Sequence, residues 1–445
     1  MKIFYLFILF FLAAAPSYVQ NNQSDSIYVP SIFPDSTLVV DSIKIVGNKI
    51  TKPFVIFREM SLQPGDLITK EGVEYDKNRI YSLQLFNSVE IRLEPIQPPK
   101  TNLIIEVSER WYIYPFPVWG IKDRDWKKFY YGFGIMNTNF RGRNEKISAT
   151  GTLGYEPSFN IYYRNPQINY SQDVFLETSI GYSRAENKSR TAKYLSGDYH
   201  QHFISLFLTL GKRSGNFHSF SASAGYQIVI LSENRYGRLL NPWGKDAYPV
   251  FSLGYRFDTR DLNDYSLSGT LVNIQVSKFG LFQPNIKYWR YSLDYRRFIP
   301  MLPRIVLAAR TFTSVSRGGI IPNYNHLYFG YNERIRGHYS ELYEGENIIG
   351  ASTELRFIIL KPRYISIDGI LMPEFSVWKF GIVAAVFGDA GTTWYRQNHL
   401  ALNNFIKGYG AGLHFILPYG FVLRTEYAFN EQRIGQFIFD LSAAF

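Results

Sequence analysis

Two histidines one residue apart, His200 and His202, would share one face of an extended strand and offer a pair of imidazoles to a metal ion. No third ligand follows at metal-site spacing, and histidines on a wet strand face are the ordinary case, so no metal is expected. A hydrolase would need a serine activated by a histidine within reach, and no spacing singles one out. The chain has no Cys, which excludes disulfides, thiolate metal sites, a cysteine nucleophile and a lipid anchor on Cys. No glycine-rich phosphate loop follows a strand. The reading is therefore a protein that is not an enzyme and uses no cofactor. What the spacing does address is hydrogen bonding. Pro115 and Pro117 lie two apart, so in a strand Tyr112–Gly120 their missing N–H groups would be lost from one and the same edge. The alternative is that they only stiffen a linker.

The elements around these residues change character along the chain. From Trp111 onward, segments of about ten alternating residues recur between Gly, Asn, Pro and Asp punctuation. Trp289, Tyr291, Leu293 and Tyr295 fall on one face, opposite Arg290, Ser292, Asp294 and Arg296. Ile349, Ala351, Thr353, Leu355, Phe357 and Ile359 oppose Gly350, Ser352, Glu354 and Arg356, and Phe437, Phe439, Leu441, Ala443 and Phe445 oppose Gln436, Asp440 and Ser442. Period two fixes these as strands with one oily and one polar face. The oily faces are topped with Tyr, Phe and Trp, which make up 17% of the 445 residues. Such a load suits girdles at two membrane boundaries. Sixteen candidate strands can be marked between 111 and 445, an even number. The fold class expected is an all-β transmembrane barrel of sixteen antiparallel strands.

The N-terminus is consistent with export. Met1-Lys2, an apolar run to Ala15 and a polar stretch beyond it form a signal peptide over 1–15, with 16–40 as a linker. That run is shorter than the ~20 apolar residues of a spanning helix. Residues 41–110 then read as a small α/β module. A strand stops at Gly47-Asn48, Thr69 caps a helix carrying Val73, Ile80 and Leu83 on one face, and two further strands meet at Pro98-Pro99. The net charge of +11 is spread over strands and loops. It fits anionic lipid headgroups or a lumen lining better than nucleic acid, for which no binding is expected.

Particular residues resemble the BamA/TamA family of outer-membrane barrels with periplasmic polypeptide-transport-associated (POTRA) domains. In the small module these are Ile43-Lys44-Ile45-Val46-Gly47-Asn48, Pro64-Gly65-Asp66 and Ile80-Tyr81-Ser82-Leu83 with Leu85-Phe86 and Val89. In 111–445, Phe257-Asp258-Thr259-Arg260-Asp261 with Gly269 resembles the segment between the family's eighth and ninth strands. Arg334-Ile335-Arg336-Gly337-His338 resembles the arginine–glycine motif of its sixth extracellular loop. Thr353–Phe357 and Val386–Trp394 resemble the two strands after that loop, and the chain ends in Phe445 as family barrels often do. Two departures stand out: one POTRA-like domain where the well-known assembly factors carry several, and His338 where an aromatic is usual.

The resemblance implies an outer-membrane barrel with its small domain in the periplasm, assisting insertion or translocation of client polypeptides. It also implies that Arg336, beside Gly337, folds into the lumen and pairs with carboxylates, for which Glu354 and Asp389 are the candidates. Seam candidates are Pro115 and Pro117 in the first strand and Phe439 and Phe445 in the last, which would pair to close the cylinder and open sideways for clients. Partners would be outer-membrane lipids, unfolded clients that add a β-strand, and a periplasmic protein at the small domain. The rival readings are a passive pore and, below it, an outer-membrane enzyme.

Overall fold

The computed structural model describes residues 38–445 apart from 98, 123–125, 170–172, 232–238, 242–243, 263–264, 282–284, 340, 367–376, 419–420 and 442–445. The expected signal peptide, most of the linker and Phe445 lie outside the described residues.

The small domain is a three-stranded sheet in the order β1-β3-β2, with β1 (Val39–Val46) parallel and β2 (Phe86–Gln97) antiparallel to β3 (Lys100–Glu109). Helices α1 (Pro53–Phe57) and α2 (Lys70–Tyr81) supply the other apolar surface. Thr69 caps α2, its side chain accepting from the Gly72 amide. Ile56, Ile80, Leu85, Phe86, Leu103 and Ile105 are fully buried between the layers. Asp76, buried on α2, accepts the Ser61 and Leu62 amides at 2.7 and 3.0 Å and so satisfies the α1–α2 connection from within.

The second sheet has sixteen strands in an antiparallel meander. They are β4 (Ile113–Ile121), β5 (Phe129–Phe140), β6 (Glu145–Gly154), β7 (Ser158–Asn169), β8 (Val174–Glu186), β9 (His200–Ser214), β10 (His218–Leu231), β11 (Lys245–Asp258), β12 (Gly269–Phe279), β13 (Tyr288–Leu302) and β14 (Ile305–Gly318). A short hairpin, β15 (Leu327–Phe329) and β16 (Tyr343–Gly345), intervenes outside the sheet. The wall resumes with β17 (Asn347–Ser366), β18 (Val377–Trp394), β19 (Ile406–Ile416), β20 (Val422–Asn430) and β21 (Gly435–Leu441). The oily faces look outward: Trp119, Phe133, Leu206, Leu253, Tyr291 and Phe437 are all exposed. Their strand neighbours point into the lumen, where Glu354 and Arg356 are completely buried. No described helix is long and apolar enough to cross a membrane.

The small domain seats on one rim of the barrel. Lys52 N–H donates to Gly142 O (2.8 Å), and Asn139 donates to the Thr51 hydroxyl (2.9 Å), both across to the β5–β6 turn region. Between them and the next turns sits Glu59, gripped by Arg213 at the end of β9 through paired contacts of 2.6 and 3.0 Å, by Arg79 at 2.7 Å and by Arg58 at 3.3 Å. Burial resists ionising Glu59, yet these guanidiniums, Arg213 foremost, hold its carboxyl down at about 2. A cavity of about 520 Å³ remains between domain and wall beside this cluster.

Glu59→Gln would leave three arginines without their shared counterion. Removing one partner of a buried pair costs ~3–5 kcal/mol, so the variant is expected to lose seating, read as faster limited proteolysis near residue 110 with the barrel intact. Because the folded carboxyl is depressed, its contribution is complete above the ordinary value of 4.5 and fades only as pH falls toward about 2. Seating should therefore be unchanged between pH 7 and pH 5.

Candidate functional site: a buried arginine lock and a donor-poor seam

The connection between β14 and β17, residues 319–346, folds into the lumen and does not stand off the rim. The β15–β16 hairpin braces its base, and Phe329 fills space over Gly350 and Gly391, where a Cβ would come within 3.2 and 2.4 Å of its ring. Gly337 has φ +98, and a Cβ there would sit 2.5 Å from Phe429 O. A Cβ on Gly408 would lie 1.5 Å from Arg336 O. The loop backbone thus lies directly against β19 and β20, an approach that only glycine allows on both sides.

That approach delivers Arg336, which is buried. Its Nε and Nη2 donate to the two oxygens of Asp389 at 2.7 Å each, the parallel fork that a guanidinium offers and an ammonium does not. Its Nη1 reaches Glu354 at 2.6 Å and Glu426 at 3.1 Å, its backbone N–H donates to Asp389 at 3.1 Å, and its plane lies 3.6 Å from the Phe387 ring centre. The array continues along the wall. Arg356 Nε donates to Glu354 at 2.8 Å, Arg424 bridges Glu426 (3.1 Å) to Asp440 on β21 (2.6 Å), and His414 Nε2 meets Glu426 at 3.1 Å.

The structure brings together Arg336, Glu354 and Asp389, three of the residues singled out in the sequence, with Gly337 beside them. Glu426, Arg424, His414 and Arg356 complete the array and were missed as site residues. The one signal for them is that each occupies the wet phase of an alternating strand. Glu354, His414 and Glu426 also lie close enough to chelate a metal, but Arg336, Arg356 and Arg424 already occupy their carboxylates, which suits a guanidinium lock and not a cation. His200 and His202 fall on β9 outside this trio.

His338 takes a role of its own. Its Nε2 lies 2.5 Å from Glu431 in the β20–β21 connection, and its Nδ1 faces the Tyr343 hydroxyl (3.0 Å) and Glu341 (3.1 Å). Burial pushes this imidazole down, but the carboxylates of Glu431 and Glu341 outweigh it and raise its pKa above 6.5. Next to it, Tyr339 N–H donates to Gln436 on β21 at 3.1 Å.

The two ends of the sheet are β4 and β21, and among the described residues no ladder joins them. The direction of the proline gap follows from the β4–β5 register. Thr138 N–H donates to Tyr112 O (2.9 Å), so even-numbered β4 residues bond to β5 and odd-numbered ones face away from it. Pro115 and Pro117 therefore withhold two donors from the free edge. Phe439 is on the outward face of β21, opposite Thr425.

Comparison with known proteins agrees with this fold. The Omp85 superfamily domain matches residues 139–445, and the POTRA model described as a surface antigen variable number repeat matches 38–110. The chain is 21% identical to the outer membrane protein assembly factor BamA of Nitratidesulfovibrio vulgaris, over 91% of this chain and 51% of that one. It is 25% identical to a Treponema pallidum protein described as an outer membrane protein assembly factor, over 36% of this chain and 19% of that one. The chain thus spans about half the length of the first relative and less of the second. Among solved structures, BamA from Haemophilus ducreyi lacking POTRA domains 1–3 superposes with TM-score 0.55 at 19% identity (91% of this chain, 83% of that one). CdiB from Escherichia coli does so with 0.56 at 11% (91% and 74%). These likenesses concern the fold.

Arg336→Ala leaves Glu354, Asp389 and Glu426 facing one another, a loss of ~3–5 kcal/mol by the measure of broken buried pairs. The expected result is a heat-modifiable barrel whose 319–346 loop is cut by external protease. Arg336→Lys should restore little, because the fork is lost. Charge reversal in Arg336→Glu with Glu354→Arg should show coupling in a double-mutant cycle. For His338 the imidazolium contribution is full below 6.5 and is lost as pH climbs through the raised value. Hydrogen exchange at 335–339 should accelerate above neutral pH, and His338→Asn should abolish that step.

Proposed function

The chain belongs to the Omp85 superfamily, and from that premise we propose that it assists insertion or translocation of client polypeptides by offering a β-edge at the β4/β21 seam. It is a bacterial outer-membrane barrel with one POTRA domain in the periplasm, in a superfamily of assembly and translocation barrels that are not enzymes. The observation carrying the proposal is the free edge of β4, short of two donors at Pro115 and Pro117. An edge strand with unsatisfied groups is a template for an incoming extended chain, and backbone bonding gives affinity without reading client sequence. No nucleotide is invoked: client folding in the bilayer supplies the driving force.

A passive pore is the poorer reading. Loop 319–346 occupies the lumen, meeting Glu354 on β17 and Arg310 on β14, and the POTRA domain covers part of the periplasmic rim. Clients and outer-membrane lipids are the partners proposed. The periplasmic partner expected at the POTRA domain would meet the outer strands β1 and β2, the edges of its sheet.

The test is to lock the seam. β4 starts at the periplasmic rim, so Trp119 lies near its outer end, and Phe437 lies near the outer end of β21. Both are exposed on the lipid face, and the chain brings no Cys of its own. With cysteines at 119 and 437, oxidation should stop assembly of client barrels in proteoliposomes and reduction should restore it. Full activity in the cross-linked protein would sink lateral opening.

A further inference from the structure

The turn between β11 and β12, whose Phe257–Asp261 and Gly269 stood out in the sequence, has no part in the lock as described so far. Its described residues are tied together. The Asp261 carboxylate accepts the amides of Leu262, Leu267 and Ser268 at 2.9, 3.0 and 3.2 Å. Gly269, at φ +101, closes the turn where a Cβ would come within 2.2 Å of Thr259 O. Two side chains of this turn reach different surroundings. Leu262 packs against the buried core of the POTRA domain. Tyr265 is 3% exposed and enters the lumen.

There the Tyr265 hydroxyl meets His414 Nδ1 at 2.8 Å, its ring lies 4.5 Å from the Arg356 guanidinium, and the neighbouring Ser266 carbonyl accepts from Arg356 Nη1 at 3.0 Å. His414 and Arg356 are the groups that hold Glu426 and Glu354 from behind while Arg336 holds them from the front. With Nε2 on Glu426, Nδ1 is the ring nitrogen left for the Tyr265 hydroxyl, and contacts at both nitrogens fix the orientation of the imidazole.

We propose that Tyr265 is a positioning residue for the loop arginine, and that this turn transmits the seating of the POTRA domain to the lock. The proposal rests on Arg336 being what holds loop 319–346, and on nothing about clients.

The reporter is Ile335→Cys in the full chain in liposomes, labelled from outside with an impermeant maleimide. Ile335 is 1% exposed when the loop is docked, and no other thiol competes. Arg336→Ala should label fast. Tyr265→Phe, which keeps the ring and removes the hydroxyl, should label ~5–10-fold faster than the parent, the scale of one buried hydrogen bond. His414→Gln removes the contact from the wall side and should match it. It also reads the contact should Tyr265→Phe not fold, and the double variant should add nothing further. Leu262→Ala, at the far end of the turn, should also accelerate labelling. Parent-rate labelling in Tyr265→Phe and His414→Gln, with Arg336→Ala fast, overturns the positioning role. Parent-rate labelling in Leu262→Ala overturns transmission. A parent rate in Arg336→Ala would instead remove the lock itself.

Discussion

A guanidinium taken out of water must find its counter-charges, and this requirement fixes the path of the longest described loop. Arg336 can satisfy Asp389, Glu354 and Glu426 together only if the loop backbone reaches the wall, and the wall yields only where it carries glycine. Gly337 and Gly408 make the contact, while Gly350 and Gly391 receive Phe329. The charges nearly balance: Arg336, Arg356 and Arg424 stand against Glu354, Asp389 and Glu426, with Asp440 and His414 at the ends of the array. Such an array has one low-energy arrangement, so it specifies a docked loop more than it adds stability.

The wall from β6 to β14 adds a second kind of contact to its own ion pairs, such as Asp294 with Arg296 and Arg310. Around β6 to β14 the inward faces are joined by short hydroxyl pairs across neighbouring strands, Thr152–Ser158, Thr209–Ser223, Ser252–Ser277 and Ser292–Ser314, at 2.7–2.8 Å. Neutral pairs of this kind hold register and tolerate water, whereas the charged wall of β17 to β20 needs the loop to cover it. The loop reaches the opposite wall as well, with Glu333 accepting from Arg310 on β14 at 2.8 and 2.9 Å and the Tyr324 hydroxyl donating to Asp246 on β11 at 2.7 Å. The charged wall is continuous with β21, one margin of the seam.

Much of this was legible in the sequence. Period-two alternation marks the sixteen strands because a barrel wall sorts oil and water at every residue, and Thr69 marks its helix because a cap is a local contact. Arg336, Glu354 and Asp389 stood out only through resemblance of their motifs to a family. Glu426, His414 and Arg424 are inward polar residues among dozens, and what distinguishes them is register: the β19–β20 pairing sets His414 opposite Arg424 and Gly412 opposite Glu426. No local pattern carries that information. Tyr265 was hidden for the same reason, since a tyrosine in a polar turn does not announce a partner on another strand 149 residues away. Even the prolines needed one structural fact, the Thr138–Tyr112 bond, before their missing donors could be assigned to the free edge.

That assignment changes what must hold the seam shut. A ladder bond contributes ~0.5–1.5 kcal/mol net, so an edge short of two donors gives its neighbour a weak hold. β21 is instead anchored from inside the lumen, through Asp440 to Arg424, Gln436 to Tyr339, and Ile438 packed with Phe387 and Ala428. All three anchors lead back to loop 319–346: one through its backbone at Tyr339, one through Glu426 to Arg336, and one through the Tyr339 side chain packed against the Ile438 cluster. The last strand is thus tied to the docked loop as well as to the β20 ladder. Under the strand addition proposed above, a strand held in this way exchanges its outer neighbour without leaving the wall.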